Sequence, residues 1–221
     1  MYSFCVRDLE TAENAIQASL TGHVVFSTLH TNDAAGSITR LLDMGVDDYL
    51  LTSTVNAVLA QRLVRSLCQH CREAYTPMDE VVLRWGLQRF SDDKPITLYR
   101  AVGCEHCGQT GYHGRQAIVE LLVMTDAIRQ LVLHHSDAGE ITRVAAEAGM
   151  QSMLDDGLRK VVAGVTTIDE VRRVTQEQIQ TQQLSDNNPA SATTDSADDE
   201  KQGEREAESP LGAISRLMPR N

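Results

Sequence analysis

The chain has 221 residues, 42% hydrophobic and 23% charged, enough for one domain or one and a half built around a core. No apolar run of about 18 residues is present to cross a bilayer, and Met1 to Glu10 lacks the basic region and apolar stretch of a secretory signal. A formal net charge of -11 argues against wholesale binding of nucleic acid or of an anionic membrane.

In chain order, Asp8 can cap a first helix in which Ala12, Ala15, Ile16 and Leu20 share a face, ending at Thr21-Gly22. His23 to Leu29 is a short β-branched run that reads as a buried strand. Asn32 or Asp33 caps a second helix running through Ile38, Leu41 and Leu42 towards Gly45, and another helix falls near 47–56. Ala57 to Leu67 fits helix and strand patterns poorly; a strand near Val58–Val64 is favoured. Residues 78–89 read as helix, Thr97 to Val102 as strand and Gln116 to Val123 as strand. Helices follow near 126–135, 138–148, 150–163 and 168–178, two of them with capping-box patterns, Asp137 with Glu140 and Thr167 with Glu170.

Residues 185–210 carry eight acids and two bases among Ser, Thr, Ala and Pro, with no aromatic residue. Such a stretch cannot bury enough surface to offset chain entropy, so 185–221 is expected to be a disordered acidic tail. The resulting division is 1–67 (α/β), 68–107 (bracketed by cysteine pairs), 108–184 (a strand and helices) and the tail.

Cys68-Gln-His-Cys71 and Cys104-Glu-His-Cys107 are two C-x-x-C knuckles with 32 residues between them. Each lets two sulfurs reach a metal from one tight turn, and four thiolates satisfy tetrahedral Zn2+. A reducing compartment favours metal over a redox pair or unconnected thiols. A site closed by four ligands has no open position for water, so its expected role is structural.

The stretch Arg7-Asp8-Leu9-Glu10-Thr11-Ala12, followed by Thr21 to Asp33 (TGHVVFSTLHTND), is a helix and then a strand ending in hydroxyls, a histidine and an amide. Ligands of open α/β sheets sit beyond the carboxyl ends of strands, so Thr28, His30 and Asn32 read either as ligand contacts or as caps of the next helix. Only three lysines occur, Lys94, Lys160 and Lys201, and none follows a glycine. No Gly-x-x-x-x-Gly-Lys-[Ser/Thr] phosphate loop therefore exists within these residues.

These stretches resemble the end of the Walker B box and the histidine box of the secretion ATPase superfamily, the general secretion pathway protein E motors and their pilus relatives. The resemblance continues through Ala60 to Cys68 (AQRLVRSLC), both cysteine knuckles, Gly108 to Arg115 (GQTGYHGR), Gly149-Met150, Asp156-Gly157, Lys160-Val161 and Gly164 to Val171. It implies an α/β fold: the C-terminal half of a RecA-like ATPase domain with a four-cysteine zinc insert and a C-terminal helical part. It also implies a hexameric cytoplasmic motor, peripheral to the inner membrane, that works against platform proteins, uses ATP and Mg2+, and drives pseudopilus assembly in type II secretion. The alternatives are a type IV pilus assembly ATPase or a non-catalytic zinc-stabilised interaction module; the cysteine pairs speak against retraction motors, which lack them.

By the same resemblance Arg7 and Asp8 match the end of the Walker B box, His23 and His30 the histidine box, and Cys68, Cys71, Cys104 and Cys107 the metal ligands. His30 would lie near the nucleotide phosphates; His23 reads as a box residue or as structural. The family box is Gly-Glu-(apolar)-Arg-Asp, whereas Phe4-Cys5 precede Val6 here, so the water-positioning glutamate is absent. Met1 to Cys5 does not resemble the family strand. The chain is thus expected to be a piece of a longer motor, from a truncated or split gene or a mistaken start codon, and inactive towards ATP alone. Residues 1–67 are expected to self-associate through exposed apolar edges.

Overall fold

The computed structural model describes residues 2–91 and 95–175, all within one unit spanning 1–186. The expectation for the tail at 185–221 lies outside the described residues. The elements are β1 (Tyr2–Cys5), α1 (Leu9–Leu20), β2 (Val25–Thr28), α2 (Ala34–Asp43), α3 (Asp48–Thr54), β3 (Ala57–Leu67), β4 (Glu73–Tyr75), α4 (Asp79–Trp85), β5 (Leu98–Arg100), β6 (Tyr112–Val123), α5 (Asp126–Leu133), α6 (Ala138–Glu147) and α7 (Met153–Val162). Residues 168–175 form α8. Among the described residues no helix is long and apolar enough to cross a membrane.

Helix starts follow the expected side-chain caps. Asp8 accepts from the Thr11 backbone N–H at 2.8 Å, Asp33 from Gly36 and Asp137 from Glu140, each satisfying an orphan donor of a first turn. Thr167 caps α8 through the Glu170 N–H at 3.3 Å. Helix 78–89 is split: Gly86 turns left-handed at φ 58° and ends α4, and Leu87–Phe90 continues as a 3-10 turn.

One further strand is seen and one strand expectation is corrected. Tyr2–Cys5 forms β1, which pairs in parallel with β2 in the register Cys5 opposite Thr28. The run 23–29 is a strand but not a buried one: Val25 and Leu29 are half-buried, while Val24 and Phe26 are 64% and 58% exposed. Burial on both faces needs a layer on each side. The small core of Val6, Ala12, Ile16, Val46 and Leu51, with Leu29 against it, supplies only one.

The centre of the fold is a long antiparallel ribbon of β3 and β6, running from Ala57 opposite Val123 to Leu67 opposite Tyr112 with a register shift near Arg65. Its inward phase feeds two cores. Val64 and Ile118 pack with Leu87, Leu98, Leu158 and Val171, which ties the 68–107 region to α7 and α8. Leu122 packs with Ile38, Ile128 and Ile141 from α2, α5 and α6.

A two-stranded ribbon leaves two open edges, and α7, α8 and the turn between them cover a part of each. Asp156 accepts from the Val119 N–H at 2.9 Å, and Lys160 donates to the Ala117 carbonyl at 2.7 Å. On the other edge the Leu67 N–H donates to the Val165 carbonyl, Thr166 donates to the Arg65 carbonyl, and Glu170 accepts from the Arg65 N–H. Gly157 lets α7 and α8 approach: a Cβ there would sit 2.6 Å from Val171 Cγ1.

Candidate functional site

Two places bring chemistry-bearing residues together. The first is the carboxyl end of the parallel pair. Because Cys5 pairs with Thr28 and the Val6 N–H donates to the Thr28 carbonyl, Arg7 and Asp8 leave β1 beside the point where His30 leaves β2. His30 is exposed there. His23 lies at the opposite end of β2, where its Nδ1 is 3.0 Å from Thr21 Oγ1 and 3.3 Å from the Ala18 carbonyl at the end of α1. By register Arg7, Asp8 and His30 follow the same end of the strand pair, and His23 precedes the other end. The Asp8 carboxylate is engaged at the start of α1, where N–H and hydroxyl donation from Thr11 holds it below the usual carboxylate range.

Two residues with no role assigned from sequence shape this end. Arg62 of β3 donates to Asn32 Oδ1 at 2.9 Å, fixing the loop after His30. Glu120 of β6 accepts from the first N–H of α2, Ala34, at 2.7 Å and from the first N–H of α7, Met153, at 3.3 Å, so one carboxylate binds two helix N-termini. The signal for Glu120 was present: it is the single acid in QAIVELLV and sits on the same phase as Ile118 and Leu122, both fully buried.

The second place is the four-cysteine centre. Cys68 follows directly on β3, and the Cys104–Cys107 turn leads through Gly108 to Gly111 into β6, so both knuckles are anchored at one end of the ribbon. Gly111 (φ 76°) is needed there, since a Cβ would lie 2.6 Å from that of Ala101. The four sulfurs lie within 4.8 Å of one another, with Cys68 to Cys104 at 4.0 Å and Cys71 and Cys104 each 3.8 Å from Cys107. Four thiolates at about 2.3 Å from a tetrahedral Zn2+ stand about 3.8 Å apart, so the donor set and its spacing fit such an ion.

The Cys107 sulfur also accepts from the Gly111 N–H at 3.2 Å and the Cys104 N–H at 3.3 Å. Burial opposes its thiolate, but these two donors together with the Cys104 and Cys71 thiols outweigh burial and lower its pKa. Burial pushes the Cys71 thiol up, a cost that a bound cation reverses. Arg72, next to this knuckle, donates to the Gly164 carbonyl and lies over the Tyr99 ring at 4.4 Å, fastening the centre to the turn after α7.

Residues 5–173 match the family described as Type II/IV secretion system protein. The chain belongs to this family. Within it, the chain is 54% identical over 172 residues to a type II secretion system protein E of Xanthomonas campestris, covering 78% of this chain and 30% of that protein. It is 52% identical over 173 residues to the protein E of Pseudomonas aeruginosa, covering 78% and 34%. It is 47% identical over 166 residues to the type IV pilus assembly ATPase PilB of Thermus thermophilus, covering 75% and 19%. The chain therefore spans about a third or less of the length of these relatives.

Among solved structures, the pilus retraction motor PilT with bound ADP superimposes with a TM-score of 0.52 at 22% identity, over 82% of this chain and 41% of that one. The ATPase DotB of Yersinia pseudotuberculosis gives 0.52 at 21% identity, over 78% and 36%. The family match and the relatives, with these likenesses in fold, give the α/β RecA-like ATPase fold, here with a cysteine cluster able to hold a metal ion and with C-terminal helices.

Proposed function

We propose that this chain is part of the ATPase motor that powers type II secretion, coupling ATP hydrolysis to pseudopilus assembly in a hexamer on the cytoplasmic side of the inner membrane. The observation that carries this reading is the parallel register of β1 and β2, which puts Arg7, Asp8 and His30 just past the carboxyl ends of two adjacent strands, the position where an open α/β sheet binds its ligand. His30 faces the phosphate end of the nucleotide, and Asn32, held by Arg62, relays its state to α2.

These 221 residues contain no phosphate loop and no glutamate before Val6, so they supply part of the site only. ATP and Mg2+ engage once a phosphate loop from outside these residues completes it. The four cysteines hold a structural Zn2+ that fastens the 68–107 region to the ribbon. The exposed apolar side chains of β2 and of the outer face of the ribbon mark where further layers of the motor pack.

A chimera tests this reading. Residues 6–175 replace the matching segment of the Xanthomonas protein E, and ATPase activity and secretion are measured in cells lacking the native protein. Retention of both is expected; a folded, zinc-loaded chimera with neither activity contradicts the reading. The same exchange into the Thermus PilB decides between secretion and pilus assembly: function there, without function in the Xanthomonas protein, favours the pilus.

A further inference from the structure

We propose that Glu120 is a positioning residue for the nucleotide site: its carboxylate sets the loop that follows His30 and joins that loop to α7. The inference rests on the function proposed above, in which His30 faces the nucleotide. On the inner phase of β6, Ile118 belongs to the core shared with α7 and α8, and Leu122 to the core shared with α2, α5 and α6. Glu120 stands between them, where the ribbon passes from one core to the other. Its two oxygens are divided: Oε1 accepts from the Ala34 N–H at 2.7 Å and Oε2 from the Met153 N–H at 3.3 Å. Ala34 and Met153 are fully buried, each in a different one of the two cores. The first N–H of an α-helix has no acceptor within its helix, and the N-terminus carries partial positive charge, so one carboxylate serves two helices at once.

The loop is bound to α2 by its own hydrogen bonds. The Thr31 and Ser37 hydroxyls are hydrogen-bonded to each other, Ser37 also donates to the Asp33 carbonyl at 3.0 Å, and Asp33 accepts from the Gly36 N–H at 2.6 Å. Residues 31–37 therefore form one piece, and His30 is its immediate neighbour in the chain. Two charged side chains of the ribbon hold that piece: Arg62 through Asn32, and Glu120 through Ala34. They lie on the same phase, since Glu120 pairs with Ala60, two residues before Arg62. At its other oxygen Glu120 holds the start of α7, the helix that meets the β6 edge through Asp156 and Lys160. The placement of His30 thus depends on α7 as well as on α2.

Glutamine is the informative replacement, because it keeps the size of Glu120 but has a single acceptor oxygen and can hold one helix, not two. Amide hydrogen exchange on the full, zinc-loaded chain reads the bridge. E120A is expected to speed exchange of both the Ala34 and the Met153 N–H by about tenfold or more, and E120Q that of at least one of them. The Ile141 and Leu158 N–H groups, inside α6 and α7, should stay within about threefold of wild type. No response at either helix start, or an equal rise in the helix interiors, overturns the bridge. In the chimera described above, E120Q is expected to lower kcat for ATP by about tenfold or more with KM within about threefold, because the phosphate loop binds ATP and His30 lies by the group transferred. I141V, a loss of packing in the core that holds Ala34, controls for stability and should keep kcat within about twofold. An unchanged kcat in E120Q, or an equal loss in I141V, overturns the positioning role. A chimera inactive with Glu120 in place counts against the proposed function and the kinetic role together, while the exchange result still decides the bridge.

Discussion

Glu170 and Arg65 are 105 residues apart and meet through two hydrogen bonds, the Arg65 backbone N–H donating to Oε2 at 3.1 Å and its guanidinium donating to Oε1. Arg173 adds a second guanidinium to the same carboxylate, whose side chain is only 3% exposed. One acid on α8 thereby closes the β3 edge beside the cysteine knuckle. Tyr112 completes the arrangement, its ring under Arg65 at 4.2 Å and its hydroxyl 3.1 Å from Thr167.

Burial pushes the Glu170 carboxyl up, but Arg65, Arg173 and the backbone N–H outweigh burial and hold it at about 2, against an ordinary value of 4.5. A depressed folded-state pKa gives stability that is complete above about pH 4.5 and is lost as pH falls towards 2. E170A is expected to cost about 2–3 kcal/mol at pH 7, since both arginines are half-exposed and return to water. Acid also releases thiolate-bound metal, so the measured quantity is the difference in denaturant midpoint between wild type and E170Q. That difference should narrow between pH 4.5 and 2.

Gly157→Ala should destabilise by about 1–3 kcal/mol, because the new Cβ lies 2.6 Å from Val171 Cγ1 and α7 and α8 cannot both keep their places on the ribbon. Combined with V171A, the loss should be smaller than the sum of the two single changes by more than about 0.5 kcal/mol, read from urea midpoints.

Asp8 and His30 should separate in a stability assay. D8A removes the cap of α1 and is expected to cost about 1 kcal/mol. H30A changes an exposed side chain and should stay within about 0.5 kcal/mol of wild type. Equal large losses for both would place His30 in the fold rather than at a ligand.

Removing the metal should loosen the 68–107 region first. Trp85, the single tryptophan, lies on α4 against the core shared with Leu87 and Leu98, so its emission reports that region. Chelation, or C104S, is expected to release one equivalent of zinc and shift Trp85 emission to the red; structural zinc contributes about 10–16 kcal/mol of apparent binding energy in zinc-finger peptides. Emission unchanged after complete release contradicts a structural role.

The outer face of the ribbon carries Leu59, Leu63, Leu121 and Val123, each about half exposed, with Leu59 directly opposite Leu121. L59T/L121T should reduce self-association in light scattering while costing little stability, since neither side chain belongs to a core.

The same face explains what could and could not be read from the sequence. Caps at Asp8, Asp33 and Asp137 are local hydrogen bonds between near neighbours, so their helices were legible. Ala57 to Leu67 was ambiguous because both phases of β3 are apolar, one facing the cores and the other facing out. The knuckles were legible from spacing, since C-x-x-C fixes two sulfurs locally. The exposure of β2 was not, because a β-branched run encodes a strand without stating how many layers cover it. Glu120 and Arg62 went unassigned because their partners, Ala34, Met153 and Asn32, lie 30 to 86 residues away and become neighbours only in the fold.

On the proposed function, these residues hold one side of a nucleotide site that a phosphate loop from outside them completes. Steady-state ATP hydrolysis by the purified, zinc-loaded chain tests it most directly. Turnover at the level of buffer is predicted at every ATP and Mg2+ concentration, and saturable hydrolysis that co-purifies with the chain would contradict it.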